Sequence, residues 1–144
     1  MKNNRVLVSG GHMTPALAVV EQNKNREIEF IWAGNKYRKG KTTPEYDLVT
    51  ARGIKYYHIK TGKLSRNWST SQIPRSLWNL ILIPWGILSA LIILIKTNPK
   101  VLMLFGGYVA LPFGIVGKIL GKTVIIHEQT VTTALANRIL SRFA

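Results

Sequence analysis

Residues 5–22 read RVLVSGGHMTPALAVVEQ, and this stretch decides the fold class. Arg5 to Val8 is a short strand-like run. Ser9, Gly10 and Gly11 make a turn, and Thr14 to Gln22 has helical character, with Thr14 as the expected N-cap and Pro15 at the first helical position. The same alternation continues along the chain. Glu27 to Ala33 (EIEFIWA) reads as a second strand, and residues 34–53 as mostly loop with one helical turn over Thr43 to Arg52, opened by Pro44 and closed by Gly53. Ile54 to Lys60 is a third strand, Lys100 to Phe105 a fourth and Lys122 to His127 a fifth. Helices are expected over Ala110 to Leu120, ended by Gly121, and over Thr132 to Phe143. Five strands alternating with helices predict an α/β domain with a doubly wound, parallel, Rossmann-like sheet.

The chain has 144 residues, 47% of them apolar, enough for one domain with a real core and too apolar for a disordered chain. It has no cysteine, which excludes a zinc ribbon, an iron–sulfur site and a disulfide scaffold and fits a reducing compartment. No signal-peptide h-region precedes the first strand. The formal net charge of +14 calls for acidic partners: nucleic acid, anionic lipid or a phosphorylated ligand. Between residues 36 and 75 ten basic residues face only Glu45 and Asp47. No nucleic-acid recognition motif accompanies them, so nucleic acid is not an expected partner.

Leu77 to Ile95 (LWNLILIPWGILSALIILI) is nineteen residues without a charge. As a helix of ~1.5 Å per residue it would reach about 28 Å, long enough to be weighed as a membrane span. Pro84 and Gly86 interrupt it, Asn79 and Ser89 lie within it, and basic residues flank both ends without asymmetry. Two other readings stand beside a span. One is a helix buried in the protein or in an interface. The other lies on the membrane surface, with Trp78 and Trp85 at headgroup depth and neighbouring lysines and arginines on anionic lipid.

In a doubly wound sheet ligands bind beyond the carboxyl ends of the strands. Three such ends are distinctive here: Ser9-Gly10-Gly11-His12, Phe105-Gly106-Gly107-Tyr108 and His127-Glu128-Gln129-Thr130. A glycine turn into a helix offers free N–H groups and the positive end of the helix dipole, a setting for a diphosphate. Such a turn also needs glycine for steric reasons alone. His12 is a candidate general base, because imidazole titrates at about 6.5; the alternative is a histidine that caps backbone groups at the turn. Glu128 is the only acidic residue after Asp47, placed to bind a sugar hydroxyl or to pair with His127 or another base. His58, within a strand pattern, reads as structural.

The order SGGHMTPALAVVE, FIWAGNK, ARGIKYYHI, NPKVLMLFGGYVALP, GKTVIIHEQT and LANRILSRFA resembles the N-terminal half of MurG-type UDP-N-acetylglucosamine transferases of glycosyltransferase family 28, over essentially the whole chain. The resemblance implies a GT-B fold of two Rossmann-like domains. In it the N-terminal domain takes an undecaprenyl-diphosphate-linked muramoyl peptide, and a C-terminal domain holds most of the UDP-N-acetylglucosamine site. Residues 1–144 would then be an acceptor domain lacking its donor domain. The resemblance further implies a peripheral protein on the cytoplasmic membrane face, with Arg66, Arg75, Trp78, Trp85 and Lys96 at an anionic membrane surface. It implies inverting chemistry in peptidoglycan synthesis with no cofactor and no metal.

By matching positions, His12 stands at the base that activates the acceptor hydroxyl, and Glu128 is the second candidate catalytic residue. Ser9, Gly10 and Gly11 match a Thr-Gly-Gly near the donor. Gly106, Gly107 and Tyr108 match the loop that cradles the acceptor diphosphate. His127, Gln129 and Thr130 fall in the HEQN motif, and Asn137 matches the asparagine of TNR. Two departures bear on donor contacts: the first loop is only SGGH where the family runs nearer GGGTGGH, and Thr130 replaces the motif's asparagine, losing an amide's paired donor and acceptor. The competing expectation is a non-catalytic, membrane-anchored acceptor subunit that needs a separate donor-binding chain.

Overall fold

The computed structural model describes residues 4–23, 27–62, 73–128 and 135–142, with side chains omitted at 73–81 and 135. In chain order the elements are β1 (Arg5–Ser9), α1 (Met13–Glu21), β2 (Glu29–Gly34), β3 (Tyr37–Arg38), β4 (Lys41–Thr42), α2 (Pro44–Ala51), β5 (Lys55–His58), α3 (Ile73–Thr97), β6 (Val101–Leu104), α4 (Gly107–Ile119), β7 (Thr123–Ile126) and α5 (Leu135–Leu140). Five strands form a parallel sheet in the order β5-β2-β1-β6-β7. The doubly wound parallel sheet expected from the alternation is therefore present.

Alternating side chains send β1 into two cores. Val6 and Val8, with Trp32 and Phe105, pack against Ala16 and Leu17 of α1 and Val49 of α2. Leu7, with Ala33, Leu102 and Leu104, packs against Ala90, Ile93 and Leu94 of α3, Phe113 and Val116 of α4 and Leu140 of α5. The chain winds outward from β1 through β2 to β5, then crosses back through α3 to β6 on β1's other side. Strand order thus reverses between β1 and β6, the place where sheets of this class form a crevice at the carboxyl ends of the strands.

Helix α3 contains the apolar run. It covers 25 residues, about 37 Å at ~1.5 Å per residue. Ala90, Ile93 and Leu94 face the core, while Trp85 (58% exposed), Leu88, Ile92 and Ile95 form an exposed row at i, i+3, i+7 and i+10. Among the described residues no helix is long and apolar enough to cross a membrane, and the core packing of Ala90, Ile93 and Leu94 supports the reading of a helix with one face buried in the protein. Pro84 lies on the exposed side. At the other end Arg5 Nη1 donates to the carbonyl of Thr97 at 3.3 Å, tying the helix C-terminus to the start of β1.

Several boundaries differ from the sequence expectation. α1 starts at Met13 with His12 as N-cap, not with Thr14. Gly11 is already bonded to the β6 turn, so the chain turns helical at once, and Pro15 falls third in the helix, where its missing N–H would have no partner anyway. α4 starts at Gly107, three residues earlier than Ala110, because the glycine turn itself supplies the first helical residue. Strand β1 runs on to Ser9, β2 is Glu29–Gly34 rather than 27–33, and β5 is Lys55–His58 rather than 54–60. Strands β6 and β7 are each trimmed by one residue at both ends, to Val101–Leu104 and Thr123–Ile126. The stretch read as loop holds an antiparallel hairpin, with Tyr37 opposite Thr42 and Arg38 opposite Lys41. Of the last helix Leu135–Leu140 is described as helical.

Candidate functional site

The crevice is built first from backbone. Phe105 N–H donates to the Ser9 carbonyl at 2.8 Å, and Gly11 N–H to the Gly106 carbonyl at 2.9 Å, so the turns after β1 and β6 are bonded to each other. Gly10 has φ 148°, and a Cβ there would stand 2.6 Å from the Phe105 carbonyl carbon. Gly107 has φ 77°, and its Cβ would meet the Gly11 nitrogen at 3.2 Å. Neither position admits a side chain without moving the other turn.

Two helices then begin side by side. His12, half-buried, is the N-cap of α1, and its side chain makes no capping hydrogen bond, which removes the capping alternative. Gly106 is the N-cap of α4, with Gly107 and Tyr108 in the first turn. The Gly11 N–H is occupied by Gly106, so the donors left for a ligand are those of the first turns of α1 and α4. Tyr108 accepts from Asn35 Nδ2 at 2.7 Å. Burial raises the Tyr108 pKa, partly opposed by the Arg38 charge and the Asn35 bond, so the hydroxyl keeps its proton at neutral pH.

The third strand end is held from below. Leu140 of α5 packs over Gly114 of α4, which brings Asn137 under Gly106. Asn137 Nδ2 donates to Glu128 Oε2 at 3.0 Å and to the His127 carbonyl at 3.3 Å. Asn137 is 2% exposed, and its Oδ1 has no partner among the described residues. The His127 ring lies 5.2 Å from the Phe105 ring, tilted by 34°.

The expected site residues therefore divide. Gly11, His12, Gly107, Tyr108, His127 and Glu128 reach the crevice surface, whereas Ser9, Gly10, Gly106 and Asn137 lie beneath it. Ser9 is fully buried, with its Oγ unpartnered, so its side chain faces the protein rather than a ligand. Arg66, Gln129 and Thr130 lie outside the described residues, and Arg75 and Trp78 fall where only the α3 backbone is described. Trp85 lines a cavity of about 540 Å³ with Lys60, Leu82, Pro84 and Leu88. Lys96 is eleven residues further along α3, its Nζ 6.0 Å over the Tyr57 ring, and so does not share that cavity. His58 has the structural role expected: its Nδ1 accepts from Lys36 N–H at 3.1 Å.

Sequence reasoning missed Asn35, Arg38 and Glu45. Glu45 Oε1 accepts from Trp32 Nε1 at 2.6 Å beneath the end of β2, and burial raises its pKa, partly offset by hydrogen bonds from Trp32 and Tyr56. A carboxylate two residues past Thr43 carries an N-cap signal but nothing that reports the indole above it.

Residues 9–144 match the glycosyltransferase family 28 N-terminal domain. The chain belongs to glycosyltransferase family 28. It is 30% identical over 140 residues to the UDP-N-acetylglucosamine–N-acetylmuramyl-(pentapeptide) pyrophosphoryl-undecaprenol N-acetylglucosamine transferase of Albidiferax ferrireducens, covering 94% of this chain and 34% of that one. It is 32% identical over 147 residues to the enzyme of the same name from Clostridium perfringens, covering 99% of this chain and 39% of that one. The crystal structure of Acinetobacter baumannii MurG superposes with a TM-score of 0.72 at 26% identity, over 98% of this chain and 39% of that one. The chain spans between a third and two fifths of the length of these family 28 relatives. What it shares with them is the family 28 N-terminal domain.

Proposed function

We propose that this chain is the acceptor-binding half of a family 28 enzyme that transfers N-acetylglucosamine from UDP-N-acetylglucosamine to an undecaprenyl-diphosphate-linked muramoyl pentapeptide. Residues 1–144 are the acceptor domain, and the donor site lies on a C-terminal domain or a separate donor-binding chain. The observation that carries this reading is the hydrogen bond from Gly11 to Gly106, which sets two helix N-termini and His12 around one crevice.

The reaction is a single in-line displacement. The acceptor hydroxyl oxygen bonds to the anomeric carbon, the bond from that carbon to the phosphate oxygen breaks, UDP departs, and the configuration inverts. His12 takes the hydroxyl proton, a role that contributes about 10²- to 10⁴-fold in general-base catalysis. First-turn N–H groups of α1 and α4 bind diphosphate oxygens, being preorganised and aimed by the turns. Glu128, oriented by Asn137, holds an acceptor hydroxyl. The exposed row Trp85, Leu88, Ile92 and Ile95 rests in the headgroup region of the cytoplasmic membrane face, where a lipid-linked acceptor is found.

The test is transfer of labelled sugar from UDP-N-acetylglucosamine by the full-length gene product. His12→Ala should lower kcat by about 10²- to 10⁴-fold while sedimentation with anionic vesicles is retained. Near-normal turnover would remove His12 from the chemistry, and no transfer by the unaltered protein would overturn the reading. The anchored-subunit alternative is decided by intact mass: a native product of 16.2 kDa would require a donor-binding partner.

A further inference from the structure

We infer that the hairpin of β3 and β4 is an anion-binding arm of the crevice, with Arg38 as the residue that takes the terminal carboxylate of the acceptor's peptide. The inference rests on the acceptor reading above and assigns a specificity-determining contact to a segment that reading leaves unused.

The hairpin is rigid. Its turn residues Lys39 and Gly40 both have positive φ, 51° and 77°, the pattern of a two-residue turn that matches strand twist. Its root is pinned by Lys36 N–H to His58 Nδ1 at 3.1 Å, by Thr43 N–H to the Lys36 carbonyl at 2.9 Å, and by the Lys36 ammonium 4.5 Å over the Tyr46 ring.

Arg38, Lys39 and Lys41 are exposed, and none takes part in an ion pair among the described residues. Of the two carboxylates that follow in sequence, Asp47 bonds the hairpin only through Thr42, whose Oγ1 donates to its Oδ2 at 3.2 Å, and Glu45 is turned inward onto Trp32. Like charges gathered on six residues repel one another unless an anion joins them.

The arm also connects to the crevice. Thr43 Oγ1 donates to the Asn35 carbonyl at 2.8 Å, and Asn35 Nδ2 donates to the Tyr108 hydroxyl at 2.7 Å. Hairpin root, Asn35 and second glycine turn are thus one hydrogen-bonded unit. The Arg38 charge lowers the Tyr108 pKa against the effect of burial, in keeping with a hairpin whose root is bonded through Asn35 to that hydroxyl.

The acceptor for which the relatives are named, an N-acetylmuramyl-(pentapeptide) pyrophosphoryl-undecaprenol, carries a pyrophosphate and a peptide, and a free peptide C-terminus is a carboxylate. Backbone N–H groups serve the pyrophosphate. A planar guanidinium fork suits the carboxylate at the end of a peptide, which it can bind with two parallel hydrogen bonds.

The experiment uses the full-length enzyme and a short-chain, water-soluble acceptor, offered once with a free peptide carboxylate and once with the C-terminal amide. The unaltered enzyme should show a KM about 10-fold higher for the amide, the scale of one lost charge-assisted contact. Arg38→Ala should raise KM for the carboxylate form about 10-fold and abolish the preference between the two, and Arg38→Lys should restore part of it. An equal rise for both acceptors would mean that the charge acts on the pyrophosphate, and no rise would mean a solvated arm; either overturns the proposal. Loss of the preference on vesicle-bound acceptor only would assign the arm to lipid headgroups and overturn it too. Absence of transfer by the unaltered enzyme would count against the acceptor reading instead.

Discussion

The two ends of the parallel sheet are built on opposite electrostatic plans. At the amino ends of the strands, charges are matched: Glu29 takes both Arg5 and Lys55, at 2.8 and 3.3 Å, and Glu21 takes Arg52 at 2.8 Å. At the carboxyl ends, helix N-termini and hairpin cations face solvent with no ion pair shown among the described residues, while Glu45 is tucked under Trp32 and Glu128 accepts from Asn137. The first end satisfies itself and serves the fold. The second keeps a standing attraction for anions and is held in place by backbone contacts and buried amides.

The largest effect should come from the backbone-built centre. Gly10→Ala forces a Cβ into the Phe105 backbone at a φ that alanine rarely adopts, and should cost about 3 kcal/mol in urea unfolding; an unchanged midpoint would show that the turns are looser than they look. Asn137→Ala removes the donor shared by Glu128 and the His127 carbonyl and should cost about 2 kcal/mol, with activity falling beyond the loss of folded protein. If stability falls and the specific activity of the folded fraction does not, Asn137 supports the fold alone. On the surface, Trp85→Ser should weaken partition onto anionic vesicles about 10-fold, the effect of losing one large apolar side chain from the interface, with the circular dichroism spectrum unchanged. Equal sedimentation would take α3 out of the membrane contact.

The smallest effects discriminate the two ends by sign. Glu29 has its pKa lowered below 4.5, chiefly by the Arg5 hydrogen bond, so its contribution to stability is present above that value and is lost as pH falls through the lowered pKa. Being exposed, it should contribute less than about 1 kcal/mol. Glu45 has its pKa raised above 4.5, chiefly by burial, so its contribution is full below that value and is lost as pH rises through the raised pKa. Unfolding measured across acid to neutral pH should therefore show Glu29→Gln losing stability relative to the unaltered protein as pH rises, and Glu45→Gln gaining. Parallel trends would erase the contrast.

Much of this architecture was legible because each strand and helix carries its own periodicity and the glycine turns punctuate them. The run RVLVSGGH already held the central strand and the first helix start. What local patterns could not supply were contacts between distant residues. Thr14 looked like a cap because nothing near it reports that Gly11 is bonded to Gly106, 95 residues later. Asn137 and Ser9 looked like ligand contacts because motif position does not encode burial. The hairpin was hidden because two-residue strands are too short to show alternation, although Lys39-Gly40 was a turn signal in plain view.

Because β1 lies between β2 and β6, its two edges are filled at widely separated points of the chain. Residues 5–9 can pair with β2 as soon as residue 33 has been made, but their other edge stays open until residue 104 follows. During that interval an apolar strand presents unpaired N–H and C=O groups, and the carbonyl that will fasten Gly11 does not yet exist. Assembly of the crevice is thus a late and long-range folding event, slow on grounds of chain closure, and the long apolar helix must emerge before it is complete.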